Sequence, residues 1–365
     1  MDREQILAFR LARCGLADRD APGLAAAALP PCADFSRDAA LLALAARRKG
    51  LTRDDFDAGT DSDKEIVVAY VVRGAIHALP ADRFALLGRA LLGADDEELL
   101  PQLGRQVAKL SEEHGFAPSA ALEEVADATR KALARGRKLS KNELHEELRS
   151  RLGEELLPWC KGCESHHAPP MLWRFAGVAA GVRLDSERRY LLGKPGKRAD
   201  PSDAVRLFLR AYAPATSADF AEWAGIGKPQ AKRLWAEMED ELAEVKAGKR
   251  TAHALAEDEA ELDSPPEAEG VVFIPPGDPY LWRINRPLLA PDKGLGKRLF
   301  RPVASPGVVL SDGRLAGTWK ARVKGKRLEV EVEKLGRVAK PGLEGEAERI
   351  AALRGAGDFE LVLAG

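Results

Sequence analysis

The stretch from Asp200 to Lys249 constrains the chain most, because its breakers, caps and apolar spacing admit one local architecture. Asp200-Pro201 opens a helix carrying Val205, Leu207, Phe208, Leu209 and Tyr212, and Pro214 ends it. Thr216 or Ser217 caps a second helix, with Phe220, Trp223 and Ala224 at three- and four-residue spacing on one face. Gly225-Ile226-Gly227 predicts a tight turn. Lys228-Pro229 then starts a third helix whose apolar stripe is Ala231, Leu234, Trp235 and Met238, leaving Lys228, Gln230, Lys232 and Arg233 outside. Glu241 to Ala247 reads as a strand, and Gly248-Lys249-Arg250 as a charged wing. Helix, turn and basic helix is the helix-turn-helix order, in which the last helix lies in the DNA major groove. A three-helix packing unit without a ligand fits the same pattern equally well.

Charge distribution separates these readings further. The 365-residue chain has a net charge of only -1, with 45% apolar and 31% charged residues, so bulk electrostatics points to no polyanion. Between Lys293 and Arg327, however, Lys293, Lys297, Arg298, Arg301, Arg314, Lys320, Arg322, Lys324, Lys326 and Arg327 face Asp312 alone. Such a cluster can neutralise several phosphates, although a solvated charged face has the same composition. No apolar run reaches the ~18 residues needed to span a bilayer, and Met1-Asp2-Arg3-Glu4 opens a charged helix rather than a signal peptide. These features predict a cytoplasmic, nucleoid-associated monomer with no membrane partner. Four cysteines in a chain this long do not form a disulfide framework.

Along the chain, Asp2 to Cys14 is an amphipathic helix, Gly15 to Phe35 is broken by Pro22, Gly23, Pro30 and Pro31, and Ser36 caps a helix running to Arg48. Ile66 to Val72 suits a buried helix or strand, and Leu79-Pro80-Ala81-Asp82 starts a helix to Leu92. Pro118 to Gly136 and Lys141 to Leu152 are helical, the latter with Ser140 and Glu143 as a capping box. Pro169-Pro170 begins a helix to Ala180, and Arg183 to Arg198 forms a β-wing bearing Arg188, Arg189, Lys194, Lys197 and Arg198. An acidic linker with Pro265-Pro266 occupies Ala256 to Gly270. Short strands follow at Val271 to Ile274, Gly307 to Leu310, Arg314 to Val323 and Arg327 to Val332, then a helix from Gly345 to Leu353 and a strand from Phe359 to Leu363. The expected fold class is α+β, with tandem winged-helix units at 1–110, 111–199 and 200–264 and a β-rich C-terminal domain at 265–365.

Arg73-Gly74-Ala75-Ile76-His77, the run from Tyr212 to Gly225, Gly277-Asp278-Pro279-Tyr280, Arg298 to Pro302 and Gly317-Thr318-Trp319-Lys320 occur in an order that resembles the winged-helix DNA glycosylases of the AlkZ and YcaQ type. The resemblance covers most of the chain. It implies tandem winged helices, a DNA-binding surface and excision of N7-alkylated or crosslinked purines from duplex DNA. Relatives known only as DNA-binding proteins leave a non-catalytic regulator or lesion sensor as the alternative. The family carries glutamine, any residue, then glutamine or aspartate before the second helix. Counting back from Ser36-Arg37-Asp38, those positions are Cys32, Ala33 and Asp34. The resemblance thus assigns catalysis to Asp34, with Cys32 where the family has glutamine. An N-capping or loop role fits Asp34 as well, and a small buried thiol fits Cys32 better.

The same resemblance, with the charge pattern, puts DNA contacts on Arg73, His77, Lys228, Gln230, Lys232, Arg233, Lys297, Arg298, Arg301, Lys320 and Arg322. No cofactor is required for such chemistry. A structural zinc site is offered by Cys160, Cys163, His166 and His167, whose Cys-x2-Cys step has a common ligand spacing, with Cys14 or Cys32 completing it through space. The competing reading of that segment is a glycine turn whose histidines contact DNA.

Overall fold

The computed structural model describes residues 1–364 apart from 37, 195, 197, 198 and 249. The expected basic residues Lys197, Arg198 and Lys249, and Arg37 of the counting segment, lie outside the described residues. The chain is mixed α/β and divides into two compact units. One comprises Met1–Phe56, Leu209–Ala215 and Glu241 onward, the other Asp57–Phe208 and Thr216–Asp240.

The first unit is built on a five-stranded sheet in the order Val271–Ile274, Gly307–Ser311, Arg314–Lys324, Arg327–Lys334, Asp358–Ala364. Its pairs are antiparallel except the last, which is parallel and requires the crossover helix Lys340–Leu353. Alternation along Arg327–Lys334 puts Leu328, Val330 and Val332 in the core and leaves charges on the other face. The helix Ala39–Arg47 is buried along its whole length, which its alanines and leucines allow, since up to Ala46 it has no polar face for water. Its N-cap is Asp38 without a side-chain bond, not the expected Ser36. Leu11, Cys14, Ala46, Val272, Ile274, Tyr280 and Leu310 share one core with it.

Arg47 would be ruinous in that core without a partner. Its guanidinium donates to Asp278 Oδ2 at 2.7 Å and Oδ1 at 2.9 Å, and both side chains are fully buried. Trp319 is held similarly, its indole N–H donating to the Ile274 carbonyl at 2.9 Å. Gly307 is required beneath it, because an added Cβ would come 2.2 Å from Trp319 Nε1.

In the second unit, Ile66–Tyr70 pairs antiparallel with Ile76–Pro80 on one side and with Val182–Leu184 on the other, and Val182–Leu184 pairs with Tyr190–Leu192. Helices Asp96–His114, Pro118–Ala132, Lys141–Arg149 and Pro170–Ala180 pack together around it. Ser140 and Glu143 form the expected capping box. Thr216 caps Ser217–Ala224 with Asp219 completing a second box, and Gly225 ends that helix in the left-handed conformation at φ 73°. Lys228–Ala236 follows, with Pro229 in its first turn. In chain order the hairpin Leu242–Ala247 and Arg250–Leu255 comes next.

Several local expectations differ from the structure. The proposed helix after Pro80 is broken into short turns around Phe84–Leu87, and Ile76–Pro80 before it is a strand. Part of the expected acidic linker is the helix Glu259–Asp263, which buries Leu262. The helix Asp96–His114, unread in the sequence, contains Pro101 and a non-helical Gly104, two breakers that mask its periodicity. Arg53–Ser62 was likewise hidden by its aspartates.

Candidate functional site

Asp34 lies in the first unit, in the loop before Ala39–Arg47, and is buried at 2% exposure. The Ala40 N–H donates to its Oδ1 at 3.4 Å, so the carboxylate sits at the positive end of that helix. This contact suits a capping role and orients the carboxylate. Cys32 is fully buried, with Sγ 3.5 Å from the Pro30 carbonyl. Burial pushes its thiol up to about 12, against the opposing pull of Arg47. Neutral and enclosed, it offers none of the amide donor and acceptor capacity of glutamine.

Between Asp34 and Ser36, Phe35 is 64% exposed. Its ring covers Gly277, where an added Cβ would lie 2.4 Å from Phe35 Cε1, and Gly277 has φ 78°. The adjacent Asp278 grips Arg47. One glycine and one aspartate thus position both the candidate loop and the helix behind it. Phe35 was not read as a site residue, and an apolar residue beside the candidate carboxylate was the signal for it.

The expected DNA contacts fall into two groups. In the first unit Lys297, Arg298, Arg301, Lys320 and Arg322 are all exposed. Arg301, Lys320 and Arg322 line one pocket of about 530 Å³ together with Trp319 and Arg354. Arg322 is paired with Glu329 at 2.7 Å, and Arg298 with Glu333. In the second unit Lys228 and Lys232 are exposed, while Arg233 is bridged to Glu98 at 2.9 Å. Gln230 differs from its expected outward placement: it is 2% exposed, its amide donating to the Leu91 carbonyl at 3.3 Å. Gln230 lies one turn before Leu234 of the apolar stripe, and packing against Leu91 buries it although its polarity had placed it outside.

Arg73 and His77 meet each other. Arg73 Nη2 is 3.0 Å from His77 Nε2, and Arg73 Nη1 donates to the Trp223 carbonyl. His77 Nδ1 donates to the Ala75 carbonyl at 2.9 Å, because a carbonyl can only accept. Burial, then Arg73, drives the His77 imidazole down to about 3, so it is neutral at physiological pH. Gly225 must be a glycine here, since a Cβ would approach Arg73 Cα to 2.7 Å. Two signature motifs distant in sequence therefore form one joint.

The cysteine and histidine segment forms the two-stranded turn Trp159–Cys160 and Ser165–His166 in the second unit. Among the described residues, donor atoms of Cys160, Cys163 and His167 lie within 4.8 Å of one another. His166 is not in this group; its Nδ1 donates to the Leu157 carbonyl at 2.8 Å. Nor are Cys14 and Cys32, which are buried thiols of the first unit. The His167 contact, followed by the Cys163 backbone, pulls the Cys160 thiol down to about 7. His145, read only as part of a helix, lines the same pocket as Cys163 and His167.

Among the described residues, no helix is long and apolar enough to cross a membrane. The chain is similar to the interstrand DNA cross-link repair glycosylase of Streptomyces sahachiroi, with 31% identity over 135 residues, 34% of this chain and 36% of that protein. The matched stretch is thus only about a third of that relative's length. The solved structure of the Streptomyces sahachiroi DNA glycosylase AlkZ superposes with a TM-score of 0.73 at 21% identity, covering 100% of both chains, which establishes a shared fold. Residues 28–353 match the family described as DNA glycosylase AlkZ-like, a span that includes the Asp34 loop, the Arg73 to Gly225 joint and the Asp278 anchor. The chain belongs to the AlkZ-like DNA glycosylase family.

Proposed function

We propose that the protein binds duplex DNA and hydrolyses the N-glycosidic bond of N7-alkylated purines, including crosslinked ones, with Asp34 as the catalytic carboxylate. Family membership across residues 28–353 carries this reading, and the similarity to an interstrand cross-link repair glycosylase supports the lesion class. Alkylation at N7 makes the purine a cationic leaving group, so departure needs little protonation and positive charge develops on the sugar. A carboxylate beside that sugar stabilises the charge and orients or deprotonates the attacking water. Such chemistry needs no cofactor. The target nucleotide has to leave the stack, and the exposed Phe35 ring beside Asp34 is suited to contact the opened duplex.

DNA engagement is proposed through the pocket lined by Arg301, Lys320 and Arg322 and through Lys228 and Lys232 on the helix Lys228–Ala236. The order of helices and hairpins supports winged-helix units at 1–110, 111–199 and 200–264 before a β-rich part at 265–365. The clearest cases are Pro170–Ala180 followed by Val182–Leu184 and Tyr190–Leu192, and Lys228–Ala236 followed by Leu242–Ala247 and Arg250–Leu255. Action on the nucleoid as a monomer accompanies this proposal.

The buried neutral thiol of Cys32, where the family has glutamine, favours the second reading, a DNA-binding protein without catalysis. Incubation with N7-methylguanine DNA under single-turnover conditions separates the two. Base release is expected, with Asp34→Asn slowing it about 10²-fold or more while leaving DNA affinity intact. No release by the wild type, or full activity of Asp34→Asn, removes the catalytic role. Salt-insensitive DNA binding would remove the phosphate-contact role of the basic pocket.

A further inference from the structure

We propose that the Trp159–His166 hairpin holds a thiophilic divalent cation of the zinc class, with Cys160, Cys163 and His167 as ligands and His145 supplying the fourth position. The donor set is the first argument. Two thiolates and two imidazoles match the borderline-soft character of such a cation, and two thiolates neutralise its charge. The spacing is the second. The Cys163 N–H donates to the Cys160 carbonyl at 3.2 Å, closing a tight Cys-x2-Cys turn that turns both thiols toward one point.

Distances carry the argument further. In a tetrahedral site with bonds of ~2.3 Å to sulfur, neighbouring ligand atoms are roughly 3.7 Å apart. The three donor atoms here lie within 4.8 Å of one another, so side-chain rotations of about an ångström close the site.

His167 shows which nitrogen would bind. Its Nδ1 lies 2.8 Å from the Ala168 carbonyl and must donate there, so the lone pair is on Nε2. Nε2 is buried without a hydrogen-bond partner, an arrangement that costs stability unless something fills the space beside it. His166, the neighbouring histidine in the sequence, is turned away to Leu157. His145 comes from the helix Lys141–Arg149, its ring centroid 5.8 Å from that of His167, and it shares with Cys163 and His167 a pocket of about 490 Å³. A cation there would pin the hairpin to that helix at the entrance to Pro170–Ala180.

The test uses the full chain without DNA, so it stands apart from the glycosylase reading. Zinc content is measured after purification without chelator, and metal-free protein is titrated with Zn(II) and with Co(II). About one equivalent is expected, with the visible bands and near-ultraviolet sulfur-to-cobalt absorption of a tetrahedral two-thiolate site. Cys163→Ser abolishes that absorption, His145→Asn weakens affinity about tenfold or more, and His166→Asn changes neither. If Cys163→Ser does not fold, the wild-type cobalt spectrum decides alone. Failure of the wild type to bind either ion, or a Cys160–Cys163 disulfide that metal does not prevent, overturns the site. Unchanged affinity in His145→Asn overturns the fourth ligand.

Discussion

Two pairs of cysteines occupy opposite environments. Cys14 and Cys32 lie in the core of the first unit beside Arg47 and Asp278, and burial pushes both thiols up to about 12. Cys160 and Cys163 lie in an accessible hairpin of the second unit, where the neighbouring His167 and then the Cys163 backbone pull Cys160 down to about 7. A cation is near the first pair, yet desolvation outweighs it, because a thiolate would lose more solvation than Arg47 returns. At the second pair solvation is retained, and the neighbouring His167 and the N–H groups of the turn decide the outcome. The residue type alone says little; what surrounds it determines whether it is core or ligand.

Removing Arg47 gives the largest expected effect. Arg47→Met leaves Asp278 buried without its partner, which costs about 3–5 kcal/mol of unfolding free energy in urea. Cys163→Ser in metal-free protein, at an exposed position, shifts it by no more than about 0.5 kcal/mol. Similar costs for the two variants would break the contrast.

Alkaline pH probes the buried thiols directly. Their folded pKa values lie above the unfolded value of 9.0, so their contribution is complete below pH 9 and is lost as pH rises toward 12. Between pH 9 and 10 each thiol removes on the order of 1 kcal/mol. Cys32→Ala is expected to flatten the wild-type decline by that amount, and an unchanged slope would show that Cys32 ionises freely in the folded state.

The helices and hairpins were legible wherever caps and periodicity were local. Thr216 with Asp219, Ser140 with Glu143 and the alternation of Arg327–Lys334 are short-range signals that survive folding. The family motifs were legible as an order, but not as contacts. Only the fold reveals that Arg73 needs Gly225 and Trp223, or that Asp278 serves Arg47 across 231 positions. The candidate site was read in part: Asp34 and the Cys160 turn came from motifs, whereas Phe35 and His145 came from packing. Gln230 was misplaced because one helical stripe cannot show what a neighbouring segment covers.

The smallest effect concerns Cys160 itself. In metal-free protein at pH 7 a thiol of pKa about 7 is half ionised, whereas one at 9.0 is ionised to roughly 1%. That ~50-fold advantage is reduced about tenfold, because a less basic thiolate is a weaker nucleophile. Iodoacetamide should therefore modify Cys160 about fivefold faster than an ordinary exposed thiol, with a rate midpoint near pH 7. Because this group's pKa is lowered, any stability it confers is present above pH 9 and lost as pH falls through 7. Peptide mass spectrometry should find Cys14 and Cys32 unmodified until the chain unfolds. Added Zn(II) should protect Cys160 and leave the buried pair unaffected. A midpoint near 9, or early modification of Cys32, would erase the distinction between the two environments.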